Sequence, residues 1–153
     1  MLEQDFTYTT DQNKTDDHVK RFVKPYIDQP SVELQDNAVT VSGDLLSKYA
    51  DKLSIDEETN QFVVNVDMTK FAEGFVNYMI TKMIDQTVMT ITNPEFESTT
   101  NSQGSSTQAV ATYTFKFSAG KYFGSGNLSI SGIVKDGKAN DCQLIFNCFW
   151  KTL

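Results

Sequence analysis

The chain of 153 residues has little that binds metal or performs nucleophilic chemistry: one histidine, His18, and two cysteines, Cys142 and Cys148. A zinc site needs several such ligands close together, so we expect no metal and no cofactor. The cysteines are separated along one predicted strand by about 20 Å, at ~3.3 Å per residue, which predicts free buried thiols instead of a disulfide. No histidine lies near them in sequence to act as a base, and no glycine-rich loop leads into a helix. We therefore assign no catalytic residue, and the sequence does not favour an enzyme.

Long apolar runs are also missing. No run approaches the roughly 20 residues of a membrane-spanning helix, which predicts a chain without a transmembrane segment. The first five residues, MLEQD, lack the basic start and the apolar stretch of a signal peptide. Asn, Gln, Ser and Thr are abundant, which favours a secreted or lipid-anchored domain without its leader; a cytoplasmic protein is the alternative.

Basic residues are outnumbered, with 13 Lys and Arg against 20 Asp and Glu and a net charge of -7. Residues 1–85 hold sixteen of the carboxylates against eight basic residues. A nucleic-acid surface needs clustered basic groups, so we expect no nucleic-acid partner. An acidic surface attracts a basic protein partner, although solubility alone also explains such a charge.

The clearest structural signal is the alternation from Ala109 to Ala119. The odd positions are Ala, Ala, Tyr, Phe, Phe and Ala, whereas the even positions are mostly polar. This period of two predicts a half-buried strand. Turns at 119–120 and 135–137 then predict two antiparallel hairpins whose apolar residues share one inner face.

Two glycines interrupt the second of these strands. The predicted register places Gly124 opposite Phe115 and Cys148, and Gly126 opposite Tyr113 and Phe146. A glycine inside a strand marks a bend or a close approach, so the sheet should be strongly curved. The bend either lets the sheet wrap around a helix or lines a pocket.

Upstream, the periodicities predict helices and short strands. The strongest helical stripe begins at Met68, where Asp67 is a good N-cap and Val66 can pack on Phe71. The predicted helices are Thr15–Ile27, which Pro25 should end or kink, Asp44–Leu53 and Met68–Ile84. The predicted strands are a small hairpin turning at Asp36-Asn37, Gln61–Val66 and Thr87–Glu97, before a polar loop at Ser98–Gln108. The hairpin turn would pair Leu34 with Val39 and Val32 with Val41.

These elements predict an α+β fold: a flexible polar leader at 1–14 and one domain at 15–153. N-terminal helices and a small hairpin would precede one long amphipathic helix, packed in a strongly curved antiparallel sheet of about four long strands. In its order of elements this arrangement resembles the NTF2-like or cystatin-like cone, a fold analogy that carries no motif.

Two functional hypotheses follow. The first is a non-enzymatic binding or protein-interaction domain, such as an extracytoplasmic accessory protein or an acidic inhibitor-like protein, with a protein partner or a homodimer on the outer sheet face. Its interface candidates are Phe123, Ile133, Ile145 and Phe149. The second is a pocket in the cone that binds or transforms a small apolar ligand. Its lining would be Tyr113, Tyr122, Gly124, Gly126, Asn140 and Trp150, with Cys148 on the floor.

Overall fold

A computed structural model describes residues 19–35, 37–80, 94–105 and 107–152. Residues 19–23 are helical, and two further helices follow: α1 (Ser47–Ala50) and α2 (Met68–Tyr78). The strands are β1 (Ile27–Gln35), β2 (Ala38–Leu45), β3 (Leu53–Asp56), β4 (Gln61–Val64), β5 (Glu95–Gly104), β6 (Gln108–Ala119), β7 (Tyr122–Lys135) and β8 (Lys138–Thr152). No helix in these ranges is both long and apolar enough to cross a membrane.

The eight strands of the described residues form one antiparallel sheet in the order β1-β2-β8-β7-β6-β5. The β3–β4 hairpin joins it beside β8, through the pair Ser54 and Lys138. The predicted fold, one long helix on about four long strands, is therefore wrong. The hairpin expected to be small continues the main sheet because β2 pairs with β8 from Ala38 to Asp44. The cone analogy, which depended on the predicted arrangement, has no support.

The polar stretch predicted to be a loop at Ser98–Gln108 is mostly strand. β5 pairs with β6 along its whole length, and the Thr99 and Thr114 hydroxyl oxygens lie 2.6 Å apart across the pair. Threonine suits a strand, and an edge strand needs no apolar face when its neighbour satisfies its backbone. The turn is confined to the residues around Ser105, whose hydroxyl accepts the Gln108 N–H at 2.8 Å.

The register of the long hairpins differs from the prediction by two residues. Gly126 pairs with Phe115 on β6 and Cys148 on β8. The last turn has two residues instead of three, since Asp136 and Gly137 both have positive φ, 55° and 75°. A bulge follows between Ser131 and Ile133. A two-residue shift keeps every side chain on its face, and the predicted inner face is confirmed by the alternating burial of β6 and β8.

Several local predictions are confirmed. In the first hairpin Val32 pairs with Val41 and Leu34 with Val39, as the two-residue turn required. At the start of α2 the Asp67 carboxylate accepts the Lys70 N–H at 3.0 Å. The predicted leader, residues 15–18 of the first helix, residues 81–84 of the long helix and residues 87–93 of the next strand lie outside the described residues.

The second predicted helix, Asp44–Leu53, shortens to α1. Asp44 belongs to β2, where it pairs with Gln143, and Leu53 begins β3 opposite Val64. Strand pairing at both ends therefore overrides the helical pattern. The first helix is similarly limited, because the chain turns at 24–26 and Ile27 already begins β1.

The core lies between α2 and the inner face of the sheet, the face that carries Phe115, Leu144 and Phe146. Phe75 of α2 and Phe146 of β8 are both fully buried, and their ring centroids are 4.1 Å apart. Phe22 also packs in this layer, where its ring stacks on that of Tyr78 with the centroids 4.4 Å apart. Burial there raises the pKa of Tyr78 to about 12.

Candidate functional site

A cavity of about 210 Å³ lies between the first turn of α2 and the inner face of the sheet. Its floor is apolar and buried. Leu128 and Ile130 come from β7, and Leu144, which pairs with Ile130, comes from β8. Leu45 at the end of β2 and Met68 at the start of α2 complete the buried lining. The alternation of β2, β7 and β8 points these side chains to one face.

The rim of the cavity is aromatic and half-buried. Tyr26 lies between two other rim rings, with its centroid 5.4 Å from that of Tyr49 and 4.9 Å from that of Phe71. Val66, which precedes the N-cap of α2, is also half-buried on this rim. Tyrosine presents an apolar ring together with a hydroxyl, so this rim offers both packing surface and hydrogen-bonding groups.

Charged groups surround the same opening. Lys70 and Asp67 line it, and both are exposed. Lys48 Nζ lies 5.1 Å and Lys52 Nζ 5.9 Å from the centroid of the Tyr49 ring. These are cation–π distances, so both ammonium groups stay close to this rim residue. The arrangement is an apolar space with a partly cationic mouth.

The pocket predicted from the glycines is occupied by side chains. Tyr113, Tyr122 and Trp150 are buried on the inner face. A Cβ on Gly124 would lie 2.8 Å from a ring carbon of Phe117, and one on Gly126 would lie 2.9 Å from a ring carbon of Phe115. The phenylalanine rings thus lie across the glycines, as aromatic rings do when they cover a glycine on a neighbouring strand.

Asn140 and Cys148, the other residues of the predicted pocket, do not form one site with the buried aromatic residues. Asn140 is exposed, and its side-chain amide donates to the Lys138 carbonyl at 3.5 Å. Cys148 is buried opposite Gly126. The Tyr113 hydroxyl is buried and has no hydrogen-bond partner among the described residues.

The predicted interface residues lie on the outer face, the face opposite α2. Phe123, Phe149 and Ile133 are 40%, 46% and 53% exposed, and Ile145 is half-buried. Phe123 and Phe149 are diagonal neighbours, because Phe149 pairs with Ser125. Ile133 lies about 33 Å from Phe123 at ~3.3 Å per residue of strand. The structure therefore brings two of the four residues together.

The thiols are unsuited to nucleophilic chemistry. Both cysteines are free and buried. Burial raises the pKa of Cys148, and burial together with the Asp141 carboxylate raises the pKa of Cys142. The thiolate is the reactive form of cysteine, so these groups are held in their inert form at neutral pH. No group of three potential metal ligands occurs in the described ranges, and His18 lies outside them.

Sequence reasoning did not find the cavity, because its lining comes from segments far apart in the chain. Tyr26 and Tyr49 fall within the predicted helices Thr15–Ile27 and Asp44–Leu53. The lysines near it, Lys48, Lys52 and Lys70, are spread over 23 residues that also hold five carboxylates, so they give no local signal in the sequence. Comparison of the chain with protein-family models, curated proteins and solved structures gives no match.

Proposed function

We propose that this protein is a binding domain for a small apolar molecule, which occupies the cavity between α2 and the sheet. The observation that supports this proposal is the combination of an apolar floor with a tyrosine rim around about 210 Å³ of space. Ligand sites are commonly apolar concavities with a few polar groups at their edge.

The cavity volume limits the size of the ligand. An apolar cavity of about 150 Å³ accommodates benzene. Drug-sized ligands occupy pockets of about 300–1,000 Å³. A volume of about 210 Å³ lies between these values, so the cavity suits a bicyclic aromatic or a short aliphatic molecule.

Leu144→Phe tests this proposal, because it places a larger side chain in the floor of the cavity. We expect the affinity for 2-naphthol, measured by isothermal titration calorimetry, to fall at least about tenfold, a loss of about 1.4 kcal/mol. Leu34→Phe is the matched control: Leu34 is half-buried on β1 and does not line the cavity. Unchanged 2-naphthol binding by a folded Leu144→Phe protein would refute the proposal.

A second candidate function, a protein contact, is favoured by the exposed pair Phe123 and Phe149. Two large aromatic side chains adjoin here on a sheet face that is otherwise mostly Ser, Thr and Asn. A second copy of the chain would cover both rings at once through a two-fold axis.

Phe149→Lys is expected to convert such a dimer to a monomer, because it places a charge at the centre of the contact. Sedimentation velocity of the wild-type protein and the variant measures this directly. Ile133→Lys introduces the same charge on the same face, far from the pair, and should leave the dimer intact. A wild-type protein that sediments as a monomer, or a dimer indifferent to Phe149→Lys, would count against this contact.

A further inference from the structure

We infer that the ligand of the cavity carries an anionic group, which Lys48, Lys52 and Lys70 hold at the mouth while its apolar part enters between α2 and the sheet. This inference depends on the proposed function and specifies its ligand class: an aromatic or short aliphatic carboxylate. Its basis is the position of the three lysines relative to the apolar floor.

Two of these lysines are tied to one rim residue. The ammonium groups of Lys48 and Lys52 lie 5.1 Å and 5.9 Å from the Tyr49 centroid. Lys48 is in α1 and Lys52 directly precedes β3, so the short α1 segment directs both toward Tyr49. The Tyr49 ring itself lines the cavity, so both ammonium groups lie within 5.9 Å of the centroid of a lining ring.

The third lysine approaches from α2. Lys70 lines the cavity and belongs to the first turn of the helix. The acidic residue beside it, Asp67, accepts the Lys70 backbone N–H at 3.0 Å. Its carboxylate thereby serves as the N-cap of α2, which is a structural role. Asp51, next to Lys52, is exposed, as are Lys48 and Lys52, and none of the three is part of the lining; the two lysines are distinguished by their position against the Tyr49 ring.

The net negative charge of the chain makes a group of three lysines near one cavity unusual. The chain has a net charge of -7, and only 13 of its residues are Lys or Arg. One of these lysines, Lys70, nevertheless lines the apolar cavity beside Asp67, and two more, Lys48 and Lys52, lie against the lining ring of Tyr49. A cationic edge on an apolar space complements a molecule with an apolar body and an anionic head. Lysine binds such heads as a point charge, so a carboxylate is sufficient.

Three probes with the same ring separate charge from shape: 2-naphthoate, 2-naphthol and the 2-naphthylmethylammonium cation. We expect the carboxylate to bind about tenfold more tightly than the alcohol at low salt, because charge-assisted hydrogen bonds are stronger than neutral ones. The cation should bind more weakly than the alcohol. In 1 M salt, where the Debye length is about 3 Å, the preference for the carboxylate should largely disappear.

The double variant Lys48→Gln/Lys52→Gln should reduce 2-naphthoate affinity to that of 2-naphthol and leave 2-naphthol binding unchanged. Lys116→Gln, a change on the outer face of β6, is the control and should alter neither affinity. Equal binding of the carboxylate and the alcohol by the wild-type protein would overturn this inference but leave the proposed function standing. Binding of none of the three probes would overturn both.

Discussion

Gly126→Ala is expected to lower the free energy of unfolding by about 3 kcal/mol, at the upper end of the usual cost of overpacking. A Cβ at this position would overlap the Asn147 carbonyl oxygen and would lie 3.0 Å from the Cys148 Cα and 2.9 Å from a ring carbon of Phe115. Two of these three atoms belong to the backbone of β8. Relieving these contacts therefore requires the backbones of β7 and β8 to move apart, because a rotation of side chains cannot remove them.

Gly74→Ala is the matched control and should have the opposite sign. Gly74 is exposed in α2, and a Cβ there would meet nothing within 4 Å. Alanine in an exposed helix interior is favoured over glycine by about 1 kcal/mol. Thermal unfolding should show Gly126→Ala about 6–12 °C below the wild-type protein and Gly74→Ala about 2–4 °C above it. A Gly126→Ala protein as stable as the wild type would contradict the close approach of β7 and β8.

Phe75→Ala is expected to cost about 3–5 kcal/mol, the usual range for a buried phenylalanine. The Phe75 side chain is fully buried, and its ring lies 4.1 Å from that of Phe146 and 5.4 Å from that of Phe22. It is therefore the main contact through which α2 packs on the sheet. Urea unfolding measures the loss, and a constant m-value would show that stability has changed without a change in the surface exposed on unfolding.

Ile133→Ala is the control for this second prediction, since Ile133 is 53% exposed on the outer face, far from Phe123 and Phe149, and its removal should change stability by no more than about 0.5 kcal/mol. Phe75→Leu and Phe146→Leu, alone and combined, should show a coupling of about 0.5–1.5 kcal/mol. Additive effects of these two changes would mean that the rings do not pack on each other.

Local patterns predicted the features that depend on nearby residues. The inner face of β6, the pairing of Leu34 with Val39 and the capping of α2 by Asp67 are confirmed. Strand alternation and helix capping are each set by a few consecutive residues, so they can be deduced without the fold.

The predictions that were wrong concern features that depend on which strands pair. In the β7–β8 hairpin the shift of two residues comes from the turn at Asp136 and the bulge near Asp141, which have positive φ without being glycine. In the β6–β7 hairpin it comes from the turn, which lies at 120–121 because Ala119 pairs with Tyr122. The Asp136-Gly137 dipeptide does mark a two-residue turn in the sequence, whereas a positive φ at an aspartate such as Asp141 is uncommon and has no such mark. Similarly, Thr99 and its polar neighbours form a strand because β6 satisfies their backbone, and that neighbour is known only from the sheet.

The cavity lies in a different part of the sheet from the predicted pocket, for the same reason. Gly124 and Gly126 were interpreted as possible pocket positions, whereas the rings of Phe117 and Phe115 lie across them. The cavity is instead built where Tyr26, Val66 and Leu144 converge from three distant segments. Predicting that convergence requires the strand order, in which β2 adjoins β8.

Methyl-resolved NMR during titration with 2-naphthoate is the measurement that tests the central claim, that the cavity binds a small molecule. The claim predicts shifts in the methyl signals of the floor, from Leu45, Leu128, Ile130 and Leu144, with no change at Ile133 on the outer face. If a saturating concentration leaves the floor methyl signals in place, or shifts only Ile133, the cavity is not a binding site.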